Sequence, residues 1–287
     1  MDRPPRDVEA DFWSHVEELA YRLRRIAIAL VISSVVVSGL PVSIDPYVPA
    51  VKVVPNLILE NLVPEQITFR GETYEIRLAS FSPFAGFNIL FKSTLLLGLL
   101  ASSPFIAREI FAFIRPALYP HEEAVLKKMA AASTLLFMLG ILVAYFVVIP
   151  LAFKALFLMT LIAAGEGELV AISDVERLFS MAIGIMVASG IMFEIPLVIY
   201  LLLSRGILEP RHFSGDNMKY ALVASLILGA IISPDPTGMG MLMLGLPYYA
   251  LLHVAVLVGK RSYRKRFGEN KRVEAGEPAY PQTVAHR

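Results

Sequence analysis

The chain has no cysteine, a single tryptophan and few charges for its length. Without cysteine, disulfides, thiolate nucleophiles and zinc–sulfur sites are excluded. Charged residues make up 18% of the 287 positions, where a soluble domain carries about 25%. The net charge of +1 builds no field for nucleic acid. A His-Glu-x-x-His zinc motif, a Gly-x-Ser-x-Gly elbow and a P-loop are all missing, so zinc hydrolysis, serine hydrolysis of that type and nucleotide binding through that loop lose their signatures. A secretory signal is not expected, because residues 2–14 are polar and the apolar run that follows is too long. Nor is there an internal repeat of the kind that many transporters carry.

What fills the space left by charge is apolar sequence. Hydrophobic residues reach 56% and the mean hydropathy is +0.63. A bilayer core about 30 Å thick needs roughly 20 apolar residues in a helix. Runs of that kind predict six membrane helices at about 26–44, 84–107, 129–153, 178–204, 220–233 and 237–259. The last two are short, with one re-entrant hairpin as the alternative, and Pro234-Asp235-Pro236 between them reads as a tight turn at the membrane surface.

Charge placement supplies an orientation. Lys and Arg collect in loops that stay in the cytoplasm. The N-terminal segment, the second-to-third loop, the fourth-to-fifth loop and the tail hold 20 of them, and the opposite loops hold 5. Both termini are therefore expected inside, with residues 1–25 a cytoplasmic segment, 26–259 the membrane domain and 260–287 a basic cytoplasmic tail predicted to be disordered. In the long first outer loop, Val51 to Val63 reads as a short surface helix and Ile67 to Leu78 as a hairpin around Arg70-Gly71-Glu72.

Few residues offer chemistry. His253 lies in the sixth span with no serine or acid beside it in sequence, and reads as packed or interfacial. Arg24-Arg25 ahead of an apolar run has the look of an export signal, but no cleavage site follows and the pair reads as the flank of the first span. Glu194 in Phe193-Glu194-Ile195-Pro196 is a mid-helix acid, costing about 2.5–3.5 kcal/mol on insertion scales, and Pro196 frees a carbonyl nearby. It is either a hydrogen bond to another helix of the chain, a polar handle for a partner helix, or a proton site; Lys92 is a possible counter-charge or a snorkelling end residue. Glu17-Glu18 and Glu122-Glu123 are acids on the basic face. Such carboxylates suit a guanidinium ligand, which pairs bidentately, or they are a solvated face with local salt bridges.

These residues fall in an ordered set of motifs. His15-Val16-Glu17-Glu18-Leu19 with Arg22-Leu23, Ser82-Pro83-Phe84, Ser103-Pro104, Phe113-Ile114-Arg115-Pro116-Ala117-Leu118-Tyr119 with Glu122, Ala144 to Phe153, Phe193 to Pro196, and Ser233-Pro234-Asp235 together resemble the TatC family, the polytopic subunits of the twin-arginine protein translocase. The resemblance runs from about His15 to Gly259. It implies an all-α, cup-shaped bundle of six membrane helices with both termini in the cytoplasm. It implies a receptor, not an enzyme, that binds twin-arginine signal peptides of folded cargo through Glu18 and Glu122, with Glu17, His15, Tyr119 and Phe113 around them. Glu194 and Pro196 would form an intramembrane partner site and Asp235 an outer turn. Single-span TatA- and TatB-type subunits, self-association, the prokaryotic cell membrane and the proton-motive force complete the expectation, with no cofactor, metal or nucleic acid. Ala20 departs from the pattern, since the family often has Arg after Glu-Leu. The competing expectation is a proton-coupled transporter or channel for a small solute, resting on Glu194.

Overall fold

Proline and charge set the ends of the helices. The computed structural model describes residues 12–114, 123–164, 171–213, 217–235 and 237–274. Helix α1 (Phe12–Gly39) stops ahead of Pro41, whose ring pushes the preceding residue out of helical geometry. The chain then turns back as a two-stranded ribbon, β1 (Pro41–Ile44) against β2 (Tyr47–Pro49), closed by a cis Asp45–Pro46 bond. The first apolar run therefore ends as a helix at Gly39, and residues 41–44, expected to continue it, form strand instead.

After a 3-10 turn at Ala50–Lys52 comes α2 (Val53–Leu62), which buries Val54, Ile58 and Leu62 at the spacing of one helix face. Strands β3 (Gln66–Phe69) and β4 (Glu72–Ala79) form an antiparallel hairpin whose two turn residues, Arg70 and Gly71, have φ of 52° and 88°. Two positive φ values match the twist of the flanking strands. The membrane body then runs through α3 (Ala85–Ile114), α4 (Glu123–Val143), a π-helical segment (Ala144–Val148), α5 (Ile149–Ala164), α6 (Val175–Ser204), α7 (Asn217–Ile232) and α8 (Met239–Glu274). Strand β5 (Ala171–Asp174) precedes α6 and pairs in parallel with β4. The described residues thus hold two small sheets beside the helices: the β3–β4 hairpin falls where Ile67 to Leu78 is expected to form one, whereas the β1–β2 ribbon and the pairing of β4 with β5 depart from the all-helical expectation.

The helices are longer than the apolar runs that announced them. Among the described residues, four are long and apolar enough to cross a membrane: 85–113, 127–163, 175–204 and 239–264. The span 127–163 is continuous through Pro150 because the helix widens just before it, with Ile149 N–H donating to Ala144 O, so the backbone absorbs the missing donor. Helix α7 has 16 residues, roughly 24 Å at 1.5 Å per residue. Helix α8 continues well beyond residue 259, so the disorder expected from residue 260 is overturned as far as Glu274. That stretch contains no proline and is rich in Lys, Arg and Glu, all good helix formers.

The described chain divides into two units. The first joins residues up to 138 with 168–184, and the second joins 139–167 with residues from 185 onward. In the first, α1 and α3 run antiparallel: Arg22 meets Glu109 at one end and Ser34 meets Gly98 further along. A Cβ on Gly98 would lie 2.7 Å from Ser34 Cα, so only glycine permits this approach. Helix α6 starts beside α3, where Asn88 Nδ2 donates to Glu176 Oε1 (2.7 Å) and Lys92 donates to Ser180 Oγ. In the second unit, α7 and α8 form an antiparallel hairpin along Ser225, Gly229 and Ser233; a Cβ on Gly229 would lie 2.7 Å from Met241 O. Phe193 of α6 packs against Tyr248 of α8, ring centroids 6.2 Å apart. Buried serines such as Ser93, Ser102, Ser204 and Ser225 return their hydroxyls to carbonyls three or four residues back in their own helices. This meets the demand for partners where lipid offers none.

Candidate functional site

The densest group of charges in the first unit lies where the Arg-rich first half of α1 crosses the last turns of α3. Positions 18, 22 and 25 fall on one face of α1 at spacings of four and three, the face turned to α3. Arg22 donates from Nε (2.9 Å) and Nη2 (2.6 Å) to Oε1 of Glu18. Its Nη1 reaches Oε2 of Glu109 on α3 at 3.3 Å. Arg25 pairs through Nη1 with the other oxygen of Glu109, Oε1, at 3.1 Å. Its guanidinium also lies over the rings of Tyr21 and Phe105, 5.8 and 5.5 Å from their centroids.

Burial is graded across this cluster. Glu109 is 2% exposed, while the side chains of Arg22 and Glu18 are 20% and 36% exposed. A carboxylate as deep as Glu109 is tolerated only when paired and hydrogen-bonded, and two guanidiniums supply that. Glu18 is the more exposed of the two carboxylates and offers its own to solvent. Glu17 is exposed on the adjacent face of α1.

Of the residues expected at the site, Glu17, Glu18 and His15 lie on α1, and Phe113 is half-buried in the last turn of α3. Tyr119 and Glu122 lie outside the described residues. Glu109 was not anticipated. Its signal in the sequence is an acid among Phe105, Ile106, Ile110 and Phe111, next to Arg108 and thus easily counted as part of a solvated loop.

Elsewhere, Glu194 is half-buried in α6 and Pro196 is fully buried one turn-half away, inside the helix. Lys92 pairs with Glu176 (3.6 Å) and Ser180, a polar clasp between α3 and α6. Asp235 caps the turn into α8, accepting from the backbone N–H of Thr237 (2.9 Å) and Gly240 (2.7 Å) and from the Thr237 hydroxyl. Burial alone raises its pKa, but the bonds from Gly240, Thr237 and Met239 outweigh it and hold the carboxyl below its ordinary value. His253 is exposed, its ring 6.1 Å from Tyr249.

A family model described as Sec-independent protein translocase protein (TatC) matches residues 14–247. The chain belongs to the TatC family. The TatC protein of Aquifex aeolicus is 34% identical over 88% of this chain and 95% of its own length. That of Escherichia coli K12 is 35% identical over 59% of this chain and 63% of its own length. A crystal structure of the twin-arginine translocase receptor TatC superposes with a TM-score of 0.62 at 32% identity, over 87% of this chain and all of that one. This TatC-family chain is therefore a membrane-embedded component of the Sec-independent, twin-arginine protein translocase, a transport subunit and not an enzyme.

Proposed function

We propose that the chain is the signal-peptide receptor of its translocase, and that Glu18, together with Glu122, grips the paired arginines of folded cargo at the cytoplasmic face. The observation that carries this reading is that Glu18 already holds a guanidinium: Arg22 forks onto it at 2.6 and 2.9 Å, in a place open enough for a peptide to reach. An arginine brought by a ligand asks for the same chemistry, a charge-assisted bond to a carboxylate. Glu17, His15, Phe113 and Tyr119 flank the two acids along the chain and complete the binding surface.

The same reading places both termini in the cytoplasm and counts six spans, adding the apolar second half of α1 and the 16-residue α7 to the four long apolar helices. Residues 26–259 are then the membrane domain, between a cytoplasmic segment 1–25 and a basic tail 260–287. The positive-inside bias supports it: Arg22, Arg24, Arg25 and Arg108 share an end of the α1–α3 pair. Glu194 and Pro196 form the polar site for partner helices, the TatA- and TatB-type single-span subunits and other copies of this chain, in a prokaryotic cell membrane, with the proton-motive force driving passage. Asp235 fixes the turn on the opposite face.

The test is co-purification of the full chain with a twin-arginine signal peptide and with its twin-lysine variant. Retention of the arginine form at concentrations where the lysine form washes away supports the reading, and equal retention of both contradicts it.

A further inference from the structure

We propose that Arg22 is an internal stand-in for the ligand's arginine: it occupies Glu18 until a guanidinium displaces it, and Glu109 receives it when it leaves. The proposal rests on the signal-peptide reading above and adds a selectivity device to it.

The geometry of three side chains carries it. Both bonds from Arg22 to Glu18 end on Oε1, and Oε2 of Glu18 takes no bond from the described residues. An incoming guanidinium can approach Oε2, but the parallel fork, with one N–H on each carboxylate oxygen, needs Oε1 as well. To make that pairing it must push Arg22 aside, against the like charge that Arg22 presents. Arg22 has somewhere to go. Its Nη1 is already 3.3 Å from Oε2 of Glu109, and that carboxylate is buried on α3 and also held by Arg25. The exchange leaves every charge in contact with an opposite one: the ligand's arginine on Glu18, and Arg22 and Arg25 on separate oxygens of Glu109. No buried ion is stranded, which is the usual cost of breaking such a pair.

The device sets a threshold. A guanidinium with its rigid fork can replace a guanidinium, whereas a lysine ammonium is a strongly hydrated point charge that offers no fork. Competition from Arg22 thus penalises a lysine-bearing peptide more than an arginine-bearing one. Taking away the competitor should tighten both and narrow the gap between them.

The experiment is a binding titration on the purified full chain in lipid nanodiscs, with two peptides identical except for Arg-Arg or Lys-Lys. Wild type, R22Q, R22K and E18Q are compared, each checked for an intact thermal melt. R22Q keeps the Arg25–Glu109 pair, so Glu109 stays compensated. The expected result is that R22Q binds the Arg-Arg peptide roughly two- to fivefold more tightly, the range that a partly exposed ion pair spans, with a larger gain for Lys-Lys and a smaller ratio between the two. R22K keeps a charge for Glu109 but not the fork on Glu18, and should move both readouts the same way by less; it carries the test if R22Q does not fold. Weaker or unchanged Arg-Arg binding with an unchanged ratio in these variants, while E18Q still loses the peptide, would overturn the stand-in role and leave the receptor reading standing. Undiminished binding in E18Q would overturn both.

Discussion

Arg25 and Glu109 meet at 3.1 Å across the α1–α3 crossing, on the one oxygen of Glu109 that Arg22 does not use. The buried carboxylate thereby receives a separate guanidinium on each oxygen, and the two helices are tied at the end where α1 is most charged. Glu109→Ala should leave Arg25 without its carboxylate and Arg22 with Glu18 alone. Because Arg25 is 41% exposed and can turn to water, the loss should lie below the 3–5 kcal/mol of a fully buried pair, at about 1–3 kcal/mol. A thermal melt in detergent, set beside Arg25→Gln, checks this: the alanine at 109 should lower the midpoint more than the glutamine at 25.

The same pair of helices depends on Gly98. Gly98→Ala places a methyl 2.7 Å from Ser34 Cα, which is backbone and cannot swing away. The helices must separate, at about 1–3 kcal/mol. Ser34→Ala, by contrast, removes a buried hydroxyl that has no hydrogen-bond partner among the described residues, so it should be close to neutral or slightly stabilising. Melting both variants side by side distinguishes close approach from general loss of packing.

Lys92 and Glu176 form a clasp from α3 to the first turn of α6, with Asn88 and Ser180 as further partners. Side-chain exposures of 34% and 20% make it a partly screened pair. A double-mutant cycle with Lys92→Met and Glu176→Gln should give a coupling of about 0.5–2 kcal/mol. A coupling near zero would mean that Asn88 and Ser180, not the ion pair, hold the helices there.

Asp235 offers a pH signature. Its carboxyl is held below its ordinary value in the folded chain, so its contribution is complete above the ordinary carboxylate pKa and is lost as pH falls through the lower, folded value. Asp235→Ala should cost about 1 kcal/mol at neutral pH, as removal of a helix cap does. The gap between wild type and variant should stay constant from pH 8 to 5 and close only in more acidic solution. Unfolding midpoints followed across that range test it.

Much of the architecture was legible because it depends on one-dimensional signals. Apolar runs announced the membrane helices, and Arg70-Gly71 announced a turn that needs two positive φ values. The ends were less legible. Pro41 stops α1 earlier than the apolar run does, since a run of Val, Ser and Ile after a proline serves a strand as well as a helix. Residues 260–274 are polar and charged in a way that fits disorder and helix alike, and continuity with α8 decides for helix. The pairing of β4 with β5 joins segments about 100 residues apart, which no local pattern encodes. At the candidate site, Glu18 was legible from its motif, whereas Glu109 was not. Its role comes from antiparallel packing that sets residue 109 beside residues 22 and 25. Lys92 likewise takes its partner from α6, at Glu176, a residue that charge counting had assigned to a loop.

The central claim is that the Glu18 carboxylate takes hold of a signal peptide's arginine. The most direct measurement is photo-crosslinking from a probe placed beside the twin arginines of a signal peptide to the full chain in membranes, with wild type, Glu18→Gln and Glu122→Gln compared. The account predicts adducts on the first half of α1 in the wild type, and their loss, by about tenfold or more, in Glu18→Gln, where one charged hydrogen-bonding partner is gone. Adducts of undiminished yield in both variants would contradict it.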